Sequence, residues 1–276
     1  MIVVKEFPNK QFNTKEELFK ALTENKELLK AQKKLQTKFT DLTAHSFAIN
    51  EKNEVLKSTE QDLSEVNTLR IKVVINTCNV FDSHRDVSIN GSWNRTVKNT
   101  KNLLLLDSHK YEFDRIISDE VTPKVEEISW QELGYHYEGK TEALVFYCTL
   151  QRDRNPYMFD QYAKGRVKEH SGGLRYISVD LAINSEEKMN KEEKKIWDKY
   201  YKLIVNKNDV DDCGYFWAVT EQKILEGSAV VFGSNSITPT LTVEPVADTS
   251  ASKDSGSALT TLNSVNKKRF INPNNF

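Results

Sequence analysis

Apolar and polar positions change period several times along this chain, and each change marks an expected element. IVVKEF at the N-terminus is a short strand candidate. Thr14 followed three residues later by Glu17 is a capping-box signature, and Leu18, Leu22, Leu29 and Phe39 then recur on a rough helical stripe. This predicts an N-terminal helix that packs on the rest of the chain or docks a partner. Residues 46–68 are polar and punctuated, which reads as a loop. From Leu69 the texture turns β-branched and alternating: LRIKVVINTCNVF, KTEALVFYCTLQR and LRYISVDLAIN read as strands.

NLLLLDSH is a continuous apolar run, as in a strand buried on both faces. GYFWAVTEQKILEGSAVVF reads as one long strand or two closely joined ones. Helices are expected near Ser92, over NPYMFDQYAKGRV with Gly165 as its stop, and over EEKMNKEEKKIWDKYYKLI. After SNSITPTL the chain becomes rich in Ser, Thr, Ala and Asp. Such composition buries too little apolar surface to offset the entropy of ordering. The expected organisation is a strand and helix appendage with linker over 1–64, a mainly antiparallel β domain with helices around it over 65–242, and a flexible tail over 243–276.

Composition narrows the function classes. A net charge of −1 over 276 residues gives no basic field for nucleic acid or anionic membrane. No apolar run reaches the length of a membrane span. Three cysteines lack metal-type spacing, and Cys78 and Cys148, in apolar strand-like runs, read as buried thiols in a reducing compartment.

Hydrolytic chemistry needs a nucleophile, a base and a group that orients the base. Among the histidines His45, His84, His109, His136 and His170, His109 stands at the end of an apolar strand, where a rigid rim holds a base in place. Ser171 precedes two glycines, Gly172 and Gly173, that allow close backbone approach or positive φ. Its neighbour His170 looks like a base, yet in an extended chain adjacent side chains point to opposite faces. Ser178 is the competing nucleophile on the same strand. Glu226 is an acid inside an apolar strand and therefore needs a partner, histidine or arginine. Asp82, His84 and Asp86 alternate in a loop; that spacing suits an Asx-type turn better than a metal site, since no fourth ligand is evident.

Four stretches in this order resemble the prohead (head maturation) proteases of tailed bacteriophages, a family related in fold to the herpesvirus assemblins. They are NVFDSHRDVSINGSWNRTV, NLLLLDSHKYEFDRIIS, AKGRVKEHSGGLRYISVDLAIN and KILEGSAVVFGSNSITP, together spanning roughly residues 70–240. Gly172 departs from the apolar residue relatives often carry there, and the helix around 186–204 looks like an insertion.

The resemblance implies an α+β fold, mainly antiparallel, with an assemblin-like β-barrel core surrounded by helices. It implies a serine endopeptidase acting without cofactor or metal. Ser171 would be the nucleophile, His109 the general base and acid, and Glu226 the third member. Backbone near Gly172 and Gly173 would supply oxyanion donors. The implied partners are scaffold and major capsid precursor proteins, with a homodimer by analogy to the herpesvirus enzymes and neither nucleic acid nor membrane. The implied location is the host cytoplasm, inside the immature phage head, with self-processing expected within residues 244–270. The alternative is a catalytically inactive internal head protein that keeps the fold. A metal-dependent hydrolase built on Asp82, His84 and His109 ranks third.

Overall fold

The computed structural model describes residues 1–40, 46–49 and 66–231. Contacts divide the chain into two units, Met1–Thr240 and Leu241–Phe276, and the second lies outside the described residues. In the first unit, β1 (Ile2–Val3) pairs with β2 (Gln11–Phe12), and helices α1 (Lys15–Glu24) and α2 (Lys26–Leu35) follow. Next come β3 (Lys38–Phe39), β4 (Ser46–Ala48), β5 (Thr68–Thr77), β6 (Asp86–Ser88), α3 (Asn94–Asn99) and β7 (Leu105–Asp107). After these are β8 (Ile116–Ser118), β9 (Glu120–Ser129), β10 (Lys140–Gln151), α4 (Pro156–Ala163) and β11 (Glu169–Ile183). The series ends with α5 (Lys191–Tyr200), α6 (Lys207–Cys213) and β12 (Tyr215–Val230).

The fold is mixed α+β with mostly antiparallel strands. One sheet has the order β4-β5-β10-β9; the other has β3-β11-β12-β7-β8, with β6 also on β12. Among the described strands, only β6 and β7 run parallel to β12. Among the described residues no hydrogen-bonded ring closes the two sheets into one.

Period-two alternation sorts the strands between cores. Ile71, Val73 and Ile75 of β5, Leu144 and Phe146 of β10, and Leu181, Trp217 and Ile224 of β11 and β12 share one buried cluster. Their neighbours Ala182, Phe216 and Ala218 point the other way, onto Trp197, Ile204 and Val210. Val74 and Val145 likewise face Trp130 and Leu133 on the far side of the first sheet.

The N-terminal segment is a working part of this core, because Leu18, Phe19, Leu22 and Leu29 bury into the same cluster as β5 and β12. Thr14 caps α1 by accepting from Glu17 N at 3.2 Å; the reciprocal bond comes from Asn13 N to Glu17 Oε2 at 2.9 Å. The expected single helix is two. Asn25 leaves helical geometry (φ −104°, ψ 10°) and returns its Nδ2 to Ala21 O, ending the first run. The second run ends at Gln36, which turns extended (φ −80°, ψ 138°), so Phe39 is a strand residue and 43% exposed, not the last member of a helical stripe.

Further on, α4 begins at Asn155, whose side chain accepts from Met158 N, with Pro156 in the first turn. It ends before Gly165, which takes φ 62°. The run 102–109 yields only a three-residue strand, β7, although Leu103, Leu105 and Leu106 are all buried. GYFWAVTEQKILEGSAVVF is one continuous strand through Val230.

Candidate active site

Glu226 is fully buried in β12. A carboxylate in that position is costly unless every oxygen has a partner. Its Oε1 meets His109 Nδ1 at 2.7 Å, and its Oε2 accepts from Ser228 Oγ at 2.7 Å. Ser228 Oγ also accepts from the backbone N–H of His109 at 3.0 Å. Three side chains thus form a closed ring that fixes the imidazole at both its backbone and its Nδ1. Opposite an ionised carboxylate, which only accepts, Nδ1 is the donor, and a neutral imidazole then holds its lone pair at Nε2. That is the tautomer a general base requires.

The ring depends on a missing side chain. Gly173 lies opposite Glu226 in the β11–β12 register, and a Cβ there would come within 2.3 Å of Glu226 Oε1. Gly172 meets the other face of the sheet, where a Cβ would come within 2.6 Å of Ile75 Cγ2. Both glycines have ordinary extended backbone rather than positive φ, so what they supply is close approach.

His109 reaches this position through strained backbone. β7 runs beside β12 with Asp107 opposite Ala229, and the chain then reverses through Ser108 and His109 at φ 55° and 58°. Left-handed geometry at non-glycine residues costs about 1 to 3 kcal/mol each. The turn is held by Ser108 N to Ala229 O at 2.9 Å, Lys110 N to Asp107 O at 3.2 Å, and an Arg115–Asp107 ion pair at 2.9 Å. Such strain in a turn carrying a partnered buried-site histidine is characteristic of functional positions.

Ser171 lies in β11 directly opposite Ser228, and Gly173 opposite Glu226. Paired residues share a face and lie about 5 Å apart at Cβ. Ser171 therefore projects from the same face as Glu226 and Ser228, beside the serine that holds His109. Its hydroxyl nevertheless donates to Thr40 O at 2.9 Å, and no hydrogen bond joins Ser171 to His109 among the described residues. Phe39 lies against the imidazole with ring centroids 4.1 Å apart. The space over both residues is filled by the chain's own β3.

Comparisons of this chain with protein-family models, with curated proteins and with solved structures give no match.

The remaining sequence candidates fall elsewhere. His170 is buried on the opposite face of β11, where its Nε2 meets Tyr162 Oη at 2.7 Å. Ser178 accepts from Thr220 Oγ1 at 2.9 Å, farther along the strand. Asp82 Oδ1 accepts from His84 N and Asp86 N, both at 2.8 Å, which is an Asx turn. The Asp86 carboxylate turns inward to Lys33, Lys38 (2.7 Å) and Tyr176 Oη (2.8 Å). Asp82, His84 and Asp86 thus form a turn with its last carboxylate directed into the core. His45 lies outside the described residues.

Of the oxyanion candidates, the Gly172 N–H faces Thr40 and donates to its Oγ1 at 2.8 Å, whereas Gly173 is defined by the room it leaves. Ser228 and Thr40 carried no expected role, and Phe39 was expected only on a helical stripe. Ser228 was within reach, since it stands two residues beyond Glu226 and shares its face. Nothing in local sequence points to Phe39 or Thr40, which arrive by long-range pairing.

Proposed function

We propose that this chain is a serine endopeptidase of the prohead protease type, cleaving scaffold and major capsid precursor proteins during phage head maturation. The observation that carries the reading is the His109–Glu226 pair at 2.7 Å, closed by Ser228 and set beside Ser171 on the adjoining strand.

In this reading Ser171 Oγ gives its proton to His109 Nε2 and attacks the substrate carbonyl carbon. Glu226 steadies the imidazolium, and backbone near Gly172 and Gly173 supplies the oxyanion donors. The imidazolium then protonates the leaving amine, and the C–N bond breaks to leave an acyl-serine. Water, deprotonated by His109, releases the acid and restores the serine. Two packed sheets around one core are the arrangement from which an assemblin-like barrel is built, and the proposal extends to that fold. Self-processing within residues 244–270 belongs to it too, in a region outside the described residues.

One observation favours a second reading, an inactive internal head protein: the Ser171 hydroxyl is engaged by Thr40 rather than by His109. Co-expression with the capsid or scaffold precursor separates the two. Cleavage is expected from the parent chain and from Ser178→Ala, and none from Ser171→Ala or His109→Ala. Cleavage that survives Ser171→Ala removes the proposed nucleophile; an intact precursor with every variant supports the inactive protein.

A further inference from the structure

Residues 38–40 approach the candidate site as an extended peptide. β3 adds antiparallel to the edge of β11, with Phe39 opposite Gly173 and Lys38 opposite Leu174. Thr40 continues the pairing: its N–H donates to Gly172 O at 3.0 Å, and its Oγ1 accepts from Gly172 N at 2.8 Å. The Thr40 carbonyl oxygen stands 2.9 Å from Ser171 Oγ. The three side chains are each received differently. Thr40 is buried, with Oγ1 donating to Ile75 O at 3.1 Å. Phe39 covers the His109 ring while keeping 43% of its surface exposed. Lys38 reaches inward to Asp86 at 2.7 Å, and its ammonium lies 4.8 Å from the centre of the Tyr176 ring.

This has the form of strand addition at a sheet edge, in which main-chain bonds supply affinity and alternate side chains supply selectivity. It differs from ordinary sheet closure in its length and its position. The strand is only two residues long, and the carbonyl of Thr40, which follows it, stands at Ser171, on the face that Glu226 and Ser228 share.

We propose that β3 is an internal occupant of the peptide-binding edge, and that the site recognises extended peptides with a basic residue, an aromatic residue and a threonine ahead of the reacting carbonyl. The aromatic side chain lies on His109, the threonine enters the slot between Gly172 and Ile75, and the basic residue is drawn to Asp86. External peptide binds the edge when β3 leaves it. The proposal rests on the endopeptidase reading for the word substrate, but the docking geometry stands apart from catalysis.

The test uses the full chain with Ser171→Ala, so that nothing is hydrolysed. The probe is a fluorophore-labelled synthetic peptide, Leu-Gln-Thr-Lys-Phe-Thr, followed by fluorescence anisotropy. A tethered strand competes at millimolar effective concentration, so loosening it with Lys38→Ala plus Phe39→Ala is expected to tighten peptide binding by about tenfold or more. Replacing the peptide's phenylalanine with alanine is expected to reverse that gain. Phe39→Ala alone leaves Asp86 with both lysines and serves if the double variant does not fold.

Equal binding by parent and folded loosened chain, or none by either, overturns the proposal. Peptide binding with no precursor cleavage by the Ser171 chain keeps the docking site and removes the endopeptidase reading. Ser171-dependent cleavage that the peptide does not inhibit does the reverse.

Discussion

The carboxylate of Glu226 occupies the space that any side chain at position 173 would take, with Oε1 2.3 Å from where a Cβ of Gly173 would stand. Gly173→Ala is therefore expected to push Glu226 away from His109. Displacement of a catalytic group by about 1 Å costs about 100-fold in rate. Precursor cleavage should fall by that order. Gly172→Ala collides with Ile75 on the core face instead, so its main effect should be a loss of about 1 to 3 kcal/mol in stability, read by urea denaturation. Equal activity losses with equal stability losses in the two variants would contradict this division.

Glu226→Gln keeps the shape of the side chain and removes its charge. The amide can present an N–H to His109, which favours the wrong tautomer. Cleavage is expected to drop by about 10³- to 10⁴-fold, with little change in the far-ultraviolet circular dichroism spectrum. Retained activity would mean that Glu226 does not orient the base.

Ser228→Ala removes both the acceptor for His109 N–H and the donor to Glu226 Oε2. The buried carboxylate then loses one of its two side-chain partners, a change worth about 1 to 3 kcal/mol. Thermal unfolding should shift down accordingly, and cleavage should fall by about tenfold because the strained turn at Ser108 and His109 loses an anchor. His170→Phe is the contrasting variant: it disturbs the buried contact with Tyr162 and should lower stability without acting on cleavage by folded enzyme.

Asp86 faces Lys33 of α2, Lys38 of β3 and Tyr176 of β11. Burial pushes its carboxyl up, but the two ammonium groups outweigh that and hold it below the usual carboxylate range. Burial also lowers the Lys33 ammonium, with Glu6 and Asp86 opposing that and Lys38 adding to it. For Asp86 the folded value is depressed, so its contribution to stability is present above the unfolded value near 3.8 and is lost as pH falls through the folded one. Holding of α2 and β3 should weaken in acid below about pH 4. Asp86→Asn should remove that part of the pH dependence and destabilise by about 3 to 5 kcal/mol, because two lysines are left without their shared carboxylate. Urea midpoints measured between pH 3 and pH 7 check both statements.

Cys78 is fully buried and its thiol is pushed up to about 12, first by burial and then by Glu142. Burial raises Cys148 as well. Alkylation of native protein at pH 8 should therefore reach Cys213, which is partly exposed, well before either of the others. Peptide mass spectrometry gives the order of labelling, and precursor cleavage should be unaffected by modification of Cys213.

Much of the local structure was legible in the chain. Alternation and β-branching marked β5, β10, β11 and β12, because a strand half buried on each face must repeat every two residues. Asn155 with Pro156, and Gly165 at the far end, delimited α4 through local backbone chemistry alone. An acid in the apolar run of β12 announced that Glu226 needed a partner, and strand alternation removed His170 as the base. The sequence by itself thus determined the long strands β5, β10, β11 and β12 and the helix α4, the expectation that the two glycines beside Ser171 served close approach or positive φ, and which charged side chain required company.

Tertiary structure decided who that company is. His109 and Glu226 are 117 positions apart, and they meet because β7 lies beside β12 and a strained turn folds the imidazole back. The same holds for Phe39 and Thr40, which periodicity assigned to a helix and to nothing. Helix α2 ended at Gln36, and pairing with β11 then carried them onto His109 and Ser171. Local patterns report the backbone state of a segment and the face it buries. Which distant segment covers that face depends on how whole sheets pack, and no window of neighbouring residues contains that information.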